Sequence, residues 1–484
     1  MGYFEEYLQG FSDNVKDIIE NFDFDNIVKL MVKGGVLFVT LQEFNSAKAD
    51  MSPDKITSAD MGYIFEELIR KFSESYDEQA GAHFTSRDII YLMTELLVAP
   101  EKTDIMKNGC TKTAYDMAMG TSQMLGCLTE RLKEINSEAD LTCFGQEFNP
   151  ETYAIAKADM LIKGGNASGM KYGDTLSNDA FDGYEFDYII SNPPFGIDWK
   201  REKEAVEKEA KRGYEGRFGP GVPAISDGQM LFMLNGVKKL KEGSGRMAII
   251  QNGSSLFTGD AGSGASEIRK YVIGEDLVEA IVQLPTDLFY NTGISTYIWI
   301  LTKGKDMNRS GKIQLIDASK CYVKRRKNIG SKRVDLDDAC IELILRAYEG
   351  FDNKSYEDNG LIVESKVFDK EFFGFTKVTV ETAQVDEDGK PILKKGKKQP
   401  VKGATDTEII PLSEDIVAYM EKNVLPYNPN AYIDSSKNKE GYEVPFTRLF
   451  YKFEAPASSE SIFEEIKELE AEETILMKEL FGNA

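Results

Sequence analysis

A chain of 484 residues with a formal net charge of -23 is too long for one hydrophobic core of ordinary size and too acidic to grip a polyanion over its whole surface. Its five cysteines, Cys110, Cys127, Cys143, Cys321 and Cys340, lack C-x-x-C spacing, and a single histidine, His83, leaves almost nothing for zinc. No apolar run approaches a membrane span and the first residues carry no export-type leader, so a reduced, metal-free cytoplasmic protein without membrane association is expected.

From Phe11 to about Tyr76 the apolar residues Val15, Ile18, Ile19 and Phe22, then Phe65, Leu68, Ile69 and Phe72, recur at three- and four-residue steps and predict helices. Between Ala114 and Thr302 short apolar runs alternate with helical stretches, the pattern of a mostly parallel sheet covered on both faces. Seven strands are predicted, at 114–119, 141–146, 171–174, 186–191, 246–251, 277–284 and 296–302, which suits a Rossmann-like α/β domain. Beyond Lys303 the pattern predicts a further strand at 313–317 and a helix around 336–348. A lysine-rich loop follows at 386–402, for which a DNA-backbone contact and a solvated hairpin tip are both open. Ile462, Ile466, Leu469, Ile475, Leu476 and Leu480, spaced among glutamates, predict an amphipathic helix at 461–481, packed on its own domain or on another subunit.

The residues that suggest chemistry fall at the ends of these strands. Asn192-Pro193-Pro194-Phe195 follows the apolar run Tyr188-Ile189-Ile190, where open α/β sheets bind ligands. An exocyclic aromatic amine is a poor nucleophile, and acceptors placed against its protons favour a more tetrahedral nitrogen. Asn192 offers a side-chain carbonyl and Pro193 a backbone carbonyl, in a frame that two prolines stiffen. Phe195 suits stacking on a base taken out of the duplex. Upstream, Asp116, Gly120 and Thr121 occupy the turn after the first strand, where a nucleotide-like cofactor is expected. Glu147 ends the second strand, placed to accept ribose hydroxyls, and Asp174 ends the third, placed to meet an adenine amino group. Ahead of the first strand, Thr85 or Ser86 caps a predicted helix.

With these residues in hand, the chain resembles the modification (methyltransferase) subunit of type I restriction-modification systems. The likeness is carried by the segment from Gly62 to Phe72, His83-Phe84-Thr85, Gln146-Glu147, Asn192-Pro193-Pro194-Phe195, Ser226-Asp227-Gly228-Gln229, Leu256 to Gly264, Leu284 to Tyr290 and Gly441 to Arg448. It implies an adenine-specific enzyme using S-adenosyl-L-methionine, partnered by DNA, a specificity subunit, a second copy of the methyltransferase subunit and, in restricting complexes, a restriction subunit. Phe84 and Thr85 are then expected at the methionine end of the cofactor, Glu147 at the ribose and Asp174 at the adenine, with Asn192 to Phe195 receiving the target base. Basic residues just past that turn, Lys200, Arg201, Lys203, Lys211, Arg212 and Arg217, form either a loop over DNA or a solvated helix.

The expected organisation is a helical region at 1–76, shorter than is usual for the family, a catalytic domain at 77–330 and a carboxyl-terminal region at 331–484. The sequence departs from the family in the first loop, where Met117, Met119, Ser122 and Gln123 replace a proline, a cysteine and two glycines. That departure keeps two other readings open: a decayed subunit that retains fold and partner contacts, and a methyltransferase acting on RNA or a glutamine amide.

Overall fold

The apolar runs become the buried strands of one ten-stranded sheet. They are β1 (Thr111–Asp116), β2 (Asp140–Glu147), β3 (Met170–Tyr172), β4 (Tyr188–Ser191), β5 (Arg246–Asn252), β6 (Val278–Gln283), β7 (Thr296–Thr302) and β8 (Lys312–Asp317). A separate hairpin, β9 (Val323–Ile329) and β10 (Lys332–Asp335), precedes the edge strands β11 (Lys354–Asp358) and β12 (Leu361–Asp369). The order across the sheet is β11-β12-β8-β6-β7-β5-β4-β1-β2-β3. From β3 to β5 neighbouring strands are parallel, and β7 runs antiparallel between β5 and β6. In this computed structural model residues 2–52, 54–56, 61, 64, 67–68, 85–290, 292–452 and 458–481 are described, and the chain falls into two units, Met1–Pro445 and Phe446–Ala484.

All seven predicted strands are present, with displaced ends. The first stops at Asp116 because Met117 to Ser122 turn away, and the fourth starts at Tyr188 because Phe186 bridges instead to Leu240. Every residue of β4 and β7 is buried, as expected of strands covered on both faces. The predicted strand at 313–317 is β8, and the helix at 336–348 is Asp338–Gly350, capped by the Asp337 carboxylate accepting from Cys340 N at 3.0 Å. The sheet is larger than seven strands because β8, β12 and β11 extend it past β6.

A second, antiparallel sheet follows, which the apolar periodicity does not predict. Its central strand β13 (Gly374–Ala383) is followed by a hairpin of two-residue strands, β14 (Leu393–Lys394) and β15 (Lys397–Lys398), both exposed. β16 (Pro400–Pro411), β17 (Ala431–Ile433) and β18 (Lys439–Tyr442) then pair with β13. Only Val378, Val380, Ile410 and a few neighbours are buried there, so the one-sided alternation carries a weak apolar signal.

Near the amino terminus the helix Asp13–Asn21 lies on Pro150–Ile162, where Asp17 accepts from Tyr153 Oη at 2.8 Å and pairs with Lys157. The predicted helical repeat at Phe65, Ile69 and Phe72 lies outside the described residues, as do His83 and Phe84. The second unit carries the helix Ser459–Phe481, close to its predicted span, with Ile462, Ile466, Leu469, Ile475 and Leu476 exposed. No helix among the described residues is long and apolar enough to cross a membrane.

One buried ion pair knits the sheet to the helix behind it. Arg246 Nη2 on β5 lies 2.6 Å from Glu279 Oε2 on β6, and Tyr348 from Asp338–Gly350 bonds to both partners. Truncating Glu279 strands a buried guanidinium. The Glu279→Ala variant is expected to lose about 3–5 kcal/mol of stability, read as an earlier denaturant midpoint. An unchanged midpoint would show that water reaches Arg246.

Candidate active site

The chain runs outward from β1 through β2 to β3 and returns to β4 on the other side of β1, so the strand order reverses between β1 and β4. At such a switch point the loops leaving the carboxyl ends diverge and open a crevice. A cavity of about 520 Å³ occupies it, within the range of about 300–1,000 Å³ usual for small-molecule sites. Thr85, Asp116, Gly120, Thr121, Glu147, Asp174, Asn192 and Pro194 all line it.

Asp116 ends β1, fully buried, and accepts from Ser191 Oγ at 2.7 Å and from Ala118 N at 3.1 Å. Burial pushes its carboxyl up to about 7, with nearby Glu147 acting in the same direction against these two bonds. Glu147 ends β2 with both oxygens pinned: Oε2 accepts from Gly120 N at 2.9 Å and Oε1 from Asn149 N at 2.8 Å. Those bonds fix the carboxylate and the first loop together. Gly120 itself stands at φ +53°, which only glycine adopts without steric cost.

The substituted loop keeps this path by unusual means. Met119 N donates to Gln146 O, and its side chain lies on Gly145, where any Cβ would meet the sulfur at 2.3 Å. Ser122 takes φ +66°, ψ 15°, a left-handed conformation normally left to glycine, with its hydroxyl buried and no partner among the described residues. Gln123 lines the cavity. Asp174 Oδ1 accepts from Leu176 N at 2.8 Å and Ser177 N at 2.7 Å, capping its own turn. Thr175 Oγ1 then donates to Met117 O at 2.6 Å, joining that turn to the first loop.

On the β4 side, Asn192 Nδ2 donates to Thr85 Oγ1 at 2.9 Å. Asn192 Oδ1 is buried and, among the described residues, has no hydrogen-bond partner. Pro193 is buried behind the cavity and Phe195 packs partly against the main core, so neither lines it; Phe84 lies outside the described residues. Gly196 N donates to Asp227 Oδ1 at 3.3 Å, and Asp227 joins Gln229, Asn252 and Ser254 in a polar cluster behind the turn.

A family model described as N-6 DNA Methylase matches residues 57–387. The chain belongs to the N-6 DNA methylase family. It is similar to the type I restriction enzyme HindI methylase subunit of Haemophilus influenzae, 25% identical over 395 residues that cover 79% of this chain and 83% of the relative. The MjaIX methylase subunit of Methanocaldococcus jannaschii is 27% identical over 300 residues, 61% of this chain and 50% of that one. The crystal structure of a type I restriction-modification methyltransferase subunit from Streptococcus thermophilus superposes with a TM-score of 0.52 at 26% identity, covering 64% of this chain and 60% of the other. The chain thus spans most of one relative and between half and two thirds of the others.

This N-6 DNA methylase has cavity residues that motif reading passed over. Phe148, exposed, stands directly after Glu147 at the cavity edge, and an aromatic following a strand-ending acid was the available signal. Trp199 and Glu202 also line the cavity, supplied by the segment after the Asn-Pro-Pro-Phe turn. Arg217, one of the residues expected in a loop over DNA or a solvated helix, is instead buried, paired with Glu209 at 2.7 Å and donating to Thr175 O and Leu176 O, so it buttresses the cavity wall. Nothing before the fold is known distinguishes it from its exposed neighbours Lys211 and Arg212.

Two expectations follow for the methylase fold. Ser122→Gly relieves a left-handed residue and an unpaired buried hydroxyl, and a stability gain of up to about 1 kcal/mol is expected in urea titration; a loss would show that the hydroxyl is satisfied. Asp116 binds its proton more tightly folded than unfolded, so rising pH between about 4 and 7 works against the fold. Over that window the wild type should lose stability relative to Asp116→Asn; parallel pH profiles of the two would contradict this.

Proposed function

We propose that the chain is the methyltransferase subunit of a type I restriction-modification system, transferring a methyl group from S-adenosyl-L-methionine to N6 of an adenine in DNA. The observation that carries the reading is Asn192 Oδ1, a buried acceptor without a partner among the described residues, beside a cavity at the sheet's switch point. An acceptor left unmade inside a protein costs about 1–3 kcal/mol, which is tolerable where a ligand completes it. An adenine amino group is such a ligand.

The residues present suit the cofactor. Glu147, held by two backbone N–H groups, would take the ribose hydroxyls, with Phe148 and Asp174 at the adenine end and Thr85, Asp116, Gly120 and Thr121 at the methionine end. When bound, S-adenosylmethionine supplies an electrophilic methyl group on a sulfonium. Asn192 Oδ1 and the Pro193 carbonyl would accept the two N6 protons, turning the nitrogen lone pair out of conjugation and stabilising the positive charge that develops on it. Thr85 orients the Asn192 amide, so that its oxygen and not its nitrogen meets the amine.

The net charge of -23 favours delegation of most DNA contact to a specificity subunit, with a second methyltransferase copy and a restriction subunit completing the assembly. The competing reading, a decayed subunit, rests on Ser122 and Gln123. Against it, Ser122 holds the left-handed backbone that a glycine would supply.

Labelled methyl transfer to mixed-sequence DNA, with the specificity subunit present, tests both readings. Asn192→Ala is expected to lower the rate by about 10²–10³ with cofactor affinity unchanged, and Glu147→Ala to weaken cofactor binding at least tenfold by calorimetry. Methylation by Asn192→Ala at the wild-type rate would sink the role of Asn192, and a wild type that binds no cofactor would establish the decayed subunit.

A further inference from the structure

The acidic chain contains a short segment of the opposite character near the site. Residues 323–333 hold Lys324, Arg325, Arg326, Lys327, Lys332 and Arg333 and no acid, and they form the hairpin of β9 and β10. Two of the six cations are spent internally. Arg325 pairs with Asp335 at 2.5 Å, and Lys332 is buried with its ammonium 2.9 Å from Asp88 Oδ2, 3.0 Å from Leu288 O and 3.2 Å from Ser86 Oγ. The remaining four, Lys324, Arg326, Lys327 and Arg333, are exposed.

The location of the hairpin is as informative as its charge. Lys332 fastens it to Ser86 and Asp88 at the start of the helix Arg87–Val98, one residue from Thr85, which holds Asn192. Its turn is fixed as well: Ser331 N donates to Tyr290 O at 2.8 Å and Arg333 N to Asp287 O at 2.8 Å, in the loop leaving the carboxyl end of β6. These four exposed cations, with no ion-pair partner among the described residues, are therefore carried on the same edge of the sheet as the Asn-Pro-Pro-Phe turn.

We propose that Lys324, Arg326, Lys327 and Arg333 form a docking surface for the phosphate backbone of duplex DNA, holding the strand whose adenine enters the site. The inference rests on the reading of the chain as a DNA methyltransferase and locates a contact within it. Complementarity selects the partner: four exposed cations without an intervening acid match a polyanion, and phosphate contacts position a duplex without reading its sequence. The hairpin reconciles the acidity of the whole chain with a nucleic-acid substrate, since a local patch is sufficient to steer it.

The test is duplex binding by the full chain with its specificity subunit, measured against salt for the wild type and for K324A/R326A/K327A/R333A. Each lost phosphate contact removes about 0.9 from the slope of log affinity against log salt, so the variant should have a slope smaller by about 3 to 4. Cofactor affinity and melting temperature should stay at wild-type values, and K324R/R326K/K327R/R333K should keep the wild-type slope. Equal slopes for wild type and alanine variant would overturn the hairpin assignment alone, as would failed subunit assembly with the slope unchanged, which would point to an acidic protein partner. A wild-type complex with no affinity for DNA would overturn both this assignment and the function it rests on.

Discussion

The hydrogen bond from Ser191 Oγ to Asp116 Oδ1, at 2.7 Å, joins the two strand ends between which the whole site opens. β1 and β4 are in register for only two residue pairs, Ala114 with Tyr188 and Tyr115 with Ile189, before their continuations diverge. On one side of that bond lie Gly120, Glu147 and Asp174, proposed to hold the cofactor; on the other lie Asn192 and Pro194, proposed to receive the base. A methyl transfer needs these halves brought together within a bond length or so of reacting distance, and the pairing of Ser191 with Asp116 sets their separation. The raised carboxyl of Asp116 is the cost of placing an acid at this junction without a cation beside it.

The polar groups around the site form a supporting frame more than a reactive set. Glu147 spends two lone pairs on Gly120 and Asn149, Asp174 caps its own turn, and Arg217 is absorbed by Glu209 and two carbonyls. Asn192 Oδ1, Gln123 Oε1 and Ser122 Oγ are buried without a hydrogen-bond partner among the described residues. Preorganisation of this kind leaves little to rearrange when the substrate arrives.

In the parallel half of the sheet β4 and β5 were legible because they are buried on both faces and read as near-continuous apolar runs, while β1, β2 and β3 were betrayed by shorter apolar stretches at their buried ends. The site was legible to the same degree, since its residues sit where those runs stop: Asp116, Glu147, Asp174 and Asn192 are each at or just beyond a strand's carboxyl end. The second sheet was not, because β13 buries Val378, Val380 and Ala383 among half-buried Thr and Lys and a buried Glu381, and offers no continuous apolar run. Arg217 could not be told from Lys211 and Arg212, for burial is a property of the folded segment. The basic hairpin went unread because the sequence does not show which of its six cations stay exposed and which the fold absorbs. Phe195 is a subtler case: its place in the tetrapeptide suggested stacking, whereas its ring lies partly against the core.

Lys332 gives the molecule a mechanical property that a contact map does not express. Its buried ammonium is a rivet between the hairpin and the first turn of Arg87–Val98, and a lysine stem with three donors already engaged has little slack. A load applied to the hairpin is therefore transmitted to Ser86 and on to Thr85, whose hydroxyl sets the rotation of the Asn192 amide. The exposed hairpin and the Asn192 amide are thus joined by one run of hydrogen bonds and chain through Lys332, Ser86 and Thr85.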